Sequence, residues 1–259
     1  MQVRKQLPRL GTRKLYHLLE KDFKAEQLRI GRDKLFALLR EENLLIVRKR
    51  KYIKTTNSKH WMYKYRNLVK GIIAQRPEQI WVADITYLTG TEGTCYLHLI
   101  TDAYSKKIMG YSLSKDLAAT STIVALQMAL KNRTYQTSII HHSDRGLQYC
   151  SASYVRLLEQ NNFQISMTED GNPYDNAVAE RVNGILKEEF ELAETRTDLE
   201  SSRALTRQSI ELYNTLRPHL SCHLLTPEQM HQQQKISMKT WRKKFSESLV
   251  DLENFSQRT

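Results

Sequence analysis

Apolar residues along the chain change their period near residue 74, and the change divides the sequence. Before it they recur at helical spacing. Leu15, Leu18, Leu19 and Phe23 share one face of a helix over residues 12–24, and Leu35, Phe36, Leu38 and Leu39 mark a second over 33–43. After it come short β-branched and aromatic runs. Strands are expected at 79–88, 95–101, 107–113, 138–143 and 163–167, with helices at 118–132 and 152–160. Thr89 to Gly93 forms a turn that folds the second strand antiparallel onto the first. An amphipathic helix over 172–190 buries Ala177, Val178, Val182, Ile185 and Leu186, with Asn172 as cap, Pro173 at the first helical position and Asp175 reaching back. Asp198 caps a long helix over 199–214, Pro218 closes that stretch, and Thr226-Pro227-Glu228 opens a last short one. Strand-strand-strand-helix-strand-helix-strand-helix is an α/β plan with a mixed sheet, preceded by a small all-α unit.

Charge sharpens that division. The formal net charge is +12, but residues 1–70 hold 20 Lys and Arg against 6 Asp and Glu, a balance of +14. The remaining residues balance at −2. A basic segment so concentrated favours a polyanion, and nucleic acid is the commonest soluble one. Two short helices with basic exposed faces fit a helix-turn-helix, whose second helix would carry Arg32, Lys34 and Arg40 to duplex DNA. Arg48, Lys49, Arg50 and Lys51 continue as an arm along the phosphate backbone. Trp61, Tyr63 and Tyr65 then follow among cations, and packing of this linker against the next domain is the favoured reading. The domains expected are 1–57 for DNA binding, 58–74 as basic and aromatic linker, 75–235 as the core, and 236–259 as a charged tail.

The three cysteines, Cys95, Cys150 and Cys222, are far apart and form no C-x-x-C pair, so neither a zinc site nor a disulfide framework is indicated. That suits a reducing cytoplasm. No run of eighteen apolar residues offers a membrane span, and the first residues lack the apolar core of a secretion signal.

Three acids fall where acids are costly or oddly placed. Asp84 interrupts the first strand, Asp144 ends the fourth, and Glu180 lies on the amphipathic helix. Two strand acids and a helix acid look like hard oxygen ligands converging on a divalent cation, most simply Mg²⁺. The bland alternative makes Asp144 a turn residue and Glu180 a solvated one. Lys187 lies seven residues past Glu180, about 20° away around the axis. Asp102 stands at the end of the second strand, and Glu188 and Glu189 are taken as facing solvent. His142 shares a strand face with Asp144, and Asn176 precedes Glu180; both are candidates to support the three acids.

Asp84, Asp144 and Glu180, with 35 residues between the last two, resemble the Asp-Asp-Glu triad of retroviral-integrase-type transposases. W-V-A-D-I-T-Y at 81–87, H-H-S-D-R-G-L-Q-Y at 141–149, G-N-P-Y-D-N-A-V-A-E at 171–180 and Y-N-T-L-R-P-H at 213–219 are similar to words of the bacterial insertion-sequence family whose transposase spans two overlapping reading frames. The chain resembles the second-frame product, OrfB, from about residue 10 to 232.

The resemblance implies a ribonuclease H-like fold with the first and fourth strands adjacent. It implies cleavage and joining of DNA at insertion-sequence ends, using two Mg²⁺ or Mn²⁺ ions, with Asp84 bridging both, Asp144 on one and Glu180 on the other. It leaves Asp102 outside the triad as a structural residue, gives Lys187 a DNA-end contact and supports the helix-turn-helix. Its partners would be double-stranded DNA, the upstream-frame product as fusion or companion, and further copies of the chain, on the nucleoid of a bacterial cytoplasm. A hydrolytic nuclease of the same fold, or a DNA-binding regulator with a silent core, are the alternatives.

Overall fold

The computed structural model describes residues 2–46, 61–169, 176–194, 197–234 and 236–237. The basic arm at Arg48 to Lys51, the Asn172, Pro173 and Asp175 cap, and most of the charged tail lie outside the described residues. The elements, in chain order, are α1 (Gln2–Gln6), α2 (Thr12–Ala25), α3 (Arg32–Glu41), β1 (Ile80–Gly90), β2 (Gly93–Asp102), β3 (Ile108–Ser114), α4 (Ala119–Lys131), β4 (Ile140–Ser143), α5 (Leu147–Cys150), α6 (Ala152–Gln160), β5 (Gln164–Met167), α7 (Ala177–Glu188), α8 (Leu199–Thr215) and α9 (Pro227–His231). The expected strands and longer helices are all present. The single-turn helices α1 and α5 were not expected, being too short to show a period.

The sheet runs β3-β2-β1-β4-β5. β1, β2 and β3 pair antiparallel, and β4 and β5 join parallel to β1. The β1–β2 hairpin turns on two residues, Thr91 and Glu92, between the paired Gly90 and Gly93. Gly93 sits at φ +112°, a conformation that glycine alone takes without strain. Alternation along β1 feeds two cores. Trp81 and Ala83 pack with Leu126, Ala129 and Tyr154 from α4 and α6. Ile80 and Val82 pack on the other face with Ala179 of α7 and Met230 of α9.

Two end caps appear as read from sequence. The Asp198 carboxylate accepts from the Ser201 N–H at 2.9 Å, and Thr226 with Gln229 closes a reciprocal capping box. Asn176 immediately precedes α7 as described, and its side chain makes no cap bond.

The backbone of β3 comes close to α4 at Gly110. A Cβ there would lie 2.5 Å from the Ala129 nitrogen and closer still to the Ala125 carbonyl oxygen, both backbone atoms. Gly110→Ala is therefore expected to push helix from sheet, costing ~3 kcal/mol or more. Urea unfolding would show it as a lowered midpoint, and an unchanged midpoint would contradict this packing.

The N-terminal helices do not stand apart. Leu7, Leu10, Leu15, Leu35 and Leu39 belong to one apolar cluster with Val182, Ile185 and Leu186 of α7 and Ile210 and Tyr213 of α8. The linker differs from expectation. Tyr65 packs partly against the α4–α6 core, but Trp61 is 92% exposed and Tyr63 74%. Tyr63 finds an edge-on contact with Tyr65 instead, ring centroids 4.9 Å apart. Among the described residues no helix is long and apolar enough to cross a membrane.

Candidate active site

Strand register brings the two aspartates together. β4 pairs parallel with β1 as Val82 with His142 and Ala83 with Ser143. One step further along each strand stand Asp84 and Asp144. Neighbouring strands lie about 4.8 Å apart, so the two carboxylates leave adjacent backbones. The turn that follows β4 is closed by Asp144 itself, whose Oδ1 accepts the Gly146 N–H at 3.0 Å.

Helix α7 lies over this part of the sheet. Its start is tied down by Asn176, a buried residue whose Nδ2 donates to the carbonyl of Ala83 at 3.1 Å. Asn183, one turn past Glu180, donates from Nδ2 to Asp84 Oδ2 at 2.6 Å. The other oxygen, Asp84 Oδ1, accepts the N–H of Ile85 at 2.9 Å. Both carboxylate oxygens are thus aimed by the protein.

Electrostatics links the three acids. Burial, then the charge of Asp144, and in smaller part that of Glu180, push the Asp84 carboxyl up to about 7, against the opposing hydrogen bonds from Ile85 and Asn183. Glu180 is an exposed residue whose pKa is raised by partial desolvation. Lys187 is half-buried; burial lowers its pKa while the charge of Asp84 raises it, so its ammonium lies within the field of that carboxylate. As the side chains stand, no three His, Cys, Asp or Glu among the described residues form a group that could close round a metal ion.

The structure thus relates Asp84, Asp144, Glu180 and Lys187 to one another through β1, β4 and α7. Asn176 joins them through the backbone beside Asp84. His142 is buried in the sheet, with Nδ1 2.8 Å from Ser166 Oγ. Arg32, Lys34 and Arg40 are exposed on α3, apart from this cluster in sequence and fold, and Arg32 pairs with its neighbour Asp33 at 2.9 Å. Asn183 was missed, although its place was readable: it lies three residues past Glu180 and four before Lys187, on one helix stripe.

Glu188 is exposed as expected, but Glu189 is not a solvated residue. Its side chain, 18% exposed, is clamped by Arg217 and Lys14 at 2.8 and 3.0 Å. A helical wheel puts it opposite Glu180, and the face opposite Glu180 is where the N-terminal helices pack.

Asp102 is structural, as expected. Its Oδ2 accepts the Glu78 N–H and its Oδ1 the N–H and hydroxyl of Ser105, all at 2.7 Å. Glu78 and His231 join this buried group at 3.3 Å, with no opening for a substrate.

The integrase core domain family matches residues 74–173 and again 161–227. The transposase InsF of insertion sequence IS3A from Escherichia coli K12 is 38% identical over 195 residues, 74% of this chain and 68% of that protein. The chain belongs to the insertion-sequence transposases. An uncharacterized 31 kDa protein of insertion element IS600 from Shigella sonnei is 36% identical over 228 residues, 86% of this transposase and 82% of that protein. The integrase fold itself is seen in the simian T-cell lymphotropic virus intasome solved with the PP2A regulatory subunit B56 gamma. That chain is 17% identical at a TM-score of 0.54, covering 90% of the transposase and 79% of the viral chain.

Proposed function

We propose that this transposase cuts DNA at the ends of its insertion element and joins the freed 3′ ends to target DNA, with Asp84, Asp144 and Glu180 as its catalytic carboxylates. The observation that carries this reading is the parallel β1–β4 register, which sets Asp84 beside Asp144 under the helix bearing Glu180. Strand transfer of this kind needs in-line positioning and charge neutralisation, and no covalent enzyme nucleophile.

The site suits a divalent cation. Three carboxylates offer hard oxygen donors, and the Asp84 pKa is raised by burial first and by the charge of Asp144 second, both of which a cation would offset. Asp84, Asp144 and Glu180 would hold two such ions, Mg²⁺ or Mn²⁺. Bound ions of this class supply a water of lowered pKa and neutralise charge on the phosphodiester.

The residues of the chain do the remaining work. Asn183 and the Ile85 N–H hold the Asp84 carboxylate in one orientation. Asn176 keeps the start of α7 against β1. Glu180, exposed on its helix, is free to swing toward the aspartates. Lys187 meets the DNA end beside them. Arg32, Lys34 and Arg40 face duplex DNA from α3, and Arg48 to Lys51 follow its backbone. His142 supports the strand from which Asp144 leaves. The partners in this reading are element ends, target DNA, the upstream-frame product and a second copy of the chain.

A strand-transfer assay tests it. The chain, alone and fused to the upstream frame, is mixed with a duplex carrying one element end and a target plasmid, in Mg²⁺ or Mn²⁺. End-specific joining is expected from the fusion. Nicking without joining would reduce the protein to a nuclease, and neither product in either metal would overturn the reading.

Lys187→Ala separates a DNA contact from an ordinary surface lysine. End cleavage is expected to fall roughly tenfold or more, as when a charged hydrogen bond to a reacting phosphate is lost. The melting temperature should hardly move, since the side chain is only half-buried. Unaltered cleavage would remove Lys187 from the site.

A further inference from the structure

The word Y-N-T-L-R-P-H at 213–219 is left over by the chemistry, and the structure shows what it holds. Tyr213 donates its hydroxyl to the carbonyl of Lys106 at 2.9 Å. Asn214 brackets Ile108: Oδ1 accepts its N–H and Nδ2 donates to its carbonyl, each at 3.0 Å. These bonds fasten α8 to the start of β3. Arg217, only 2% exposed, turns instead to α7. Its Nε and Nη2 donate to the two oxygens of Glu189 at 2.9 and 2.8 Å, a two-pronged ion pair.

The same carboxylate reaches the other way. Lys14 of α2 donates from Nζ to both Glu189 oxygens, at 3.0 and 3.1 Å. The Arg9 N–H donates to the Glu189 backbone carbonyl at 3.1 Å. Glu189 therefore closes α7 while gripping both the α8 motif and the N-terminal helices. A carboxylate at a helix C-terminus meets the negative end of the helix dipole, and burial adds to the cost. Only paired cations make that position tolerable. Burial raises the Glu189 pKa, yet Arg217 and Lys14 together bring it below the ordinary value. Lys14 falls to about 8, through burial first and the nearby Arg217 second, with Glu189 opposing.

We propose that Glu189 is a positioning residue: gripped at once by Arg217 and Lys14, it joins α7 to the N-terminal helices, so that DNA held on those helices sets where Glu180 and Lys187 stand. The inference rests on the transposition reading above. Glu180 lies nine residues back along the helix, about 13 Å. A helix anchored at that end carries any tilt to its catalytic stripe, and a misplacement of about 1 Å can cost roughly a hundredfold in rate.

Lys14→Met in the full chain tests this, because it removes the ion pair between the Glu189 carboxylate and the N-terminal helices and leaves the Arg217–Glu189 pair, the Arg9 backbone bond and the leucine cluster in place. Lys14→Arg is the conservative control. Glu189→Gln is harsher, since it faces two buried cations with no counter-charge. Three quantities are measured: affinity for a duplex carrying one element end, end cleavage at saturating duplex, and amide exchange over residues 177–188 with and without that duplex. In the wild type the duplex should slow exchange in α7. In Lys14→Met affinity should hold, the slowing should vanish, and cleavage at saturation should drop roughly tenfold or more. Lys14→Arg should restore both. Equal slowing in wild type and Lys14→Met, no slowing in the wild type, or a cleavage loss that merely follows lost affinity would each overturn the proposal. If the wild type cuts no DNA, the transposition reading fails, while the exchange measurement still decides the coupling.

Discussion

Asp84→Asn is expected to abolish both end cleavage and joining while leaving DNA binding nearly intact. Asp84 is the acid most completely tied into the site. Its two oxygens are held by Asn183 and by the Ile85 N–H, and it feels the charges of Asp144 and Glu180. An amide at this position keeps the shape but loses the charge a divalent cation would need. It also places the Asn183 amide against a mixed donor and acceptor group in place of a carboxylate. The loss should exceed the roughly hundred- to thousandfold that removing one electrostatic stabiliser costs an enzyme. Stability should not fall, because the variant removes a buried charge whose ionisation the fold resists. Three measurements on one preparation check this: joining, duplex affinity and melting temperature with and without Mg²⁺. Near-normal joining in Mg²⁺ would mean that the site lies elsewhere.

What the sequence disclosed of this site follows from how locally each signal is written. Asp84 was visible because a charge in the middle of a β-branched run has no cheap explanation. The order of strands and helices indicated a mixed sheet, and the adjacency of its first and fourth strands followed from the family resemblance. Asn176 was a candidate by its place before Glu180, whereas the role of Asn183 was harder to see. A neutral amide on a helix or at its cap has many uses, and only the fold shows that one bonds Asp84 and the other the carbonyl of Ala83. Glu189 was misjudged because angle about the helix axis was taken as exposure. The face opposite Glu180 is solvent only if nothing packs there, and the leucines of α2 and α3 do. Their side chains carry no mark of which distant surface they will cover. Trp61 and Tyr63 erred the other way, since aromatic content suggests burial and both remain exposed.

The fold should lose stability steeply below about pH 6.5, because it buries histidines in their neutral form. His98 lies between β2 and α4 with Nδ1 2.9 Å from Thr122 Oγ1, and burial lowers its pKa to about 4, with Asp116 opposing. His141, bonded through Nε2 to the Tyr154 hydroxyl at 2.9 Å, is lowered to about 3 by burial and then by His142. His219 is lowered well below its ordinary value, by burial first and then by Arg217, Lys106, Lys14 and Arg181. A group depressed in the folded state gives stability that is present above its unfolded pKa and lost as pH falls through the folded one. For these three the loss begins near pH 6.5. Asp84 works against it. Its pKa is raised to about 7, so the folded chain keeps a proton that the unfolded chain gives up above about pH 4. Three protons favouring unfolding and one opposing leave about two, or about 3 kcal/mol per pH unit between roughly pH 6 and 4. Over that window the loss sums to about 5 kcal/mol, a third or more of a total stability of about 5–15 kcal/mol. Urea unfolding at half-unit steps of pH, without divalent metal, gives the slope directly. His98→Gln should flatten it by about one proton, or ~1.4 kcal/mol per pH unit. A wild-type slope near zero, or one that His98→Gln leaves unchanged, would show that these rings take up protons without unfolding the chain.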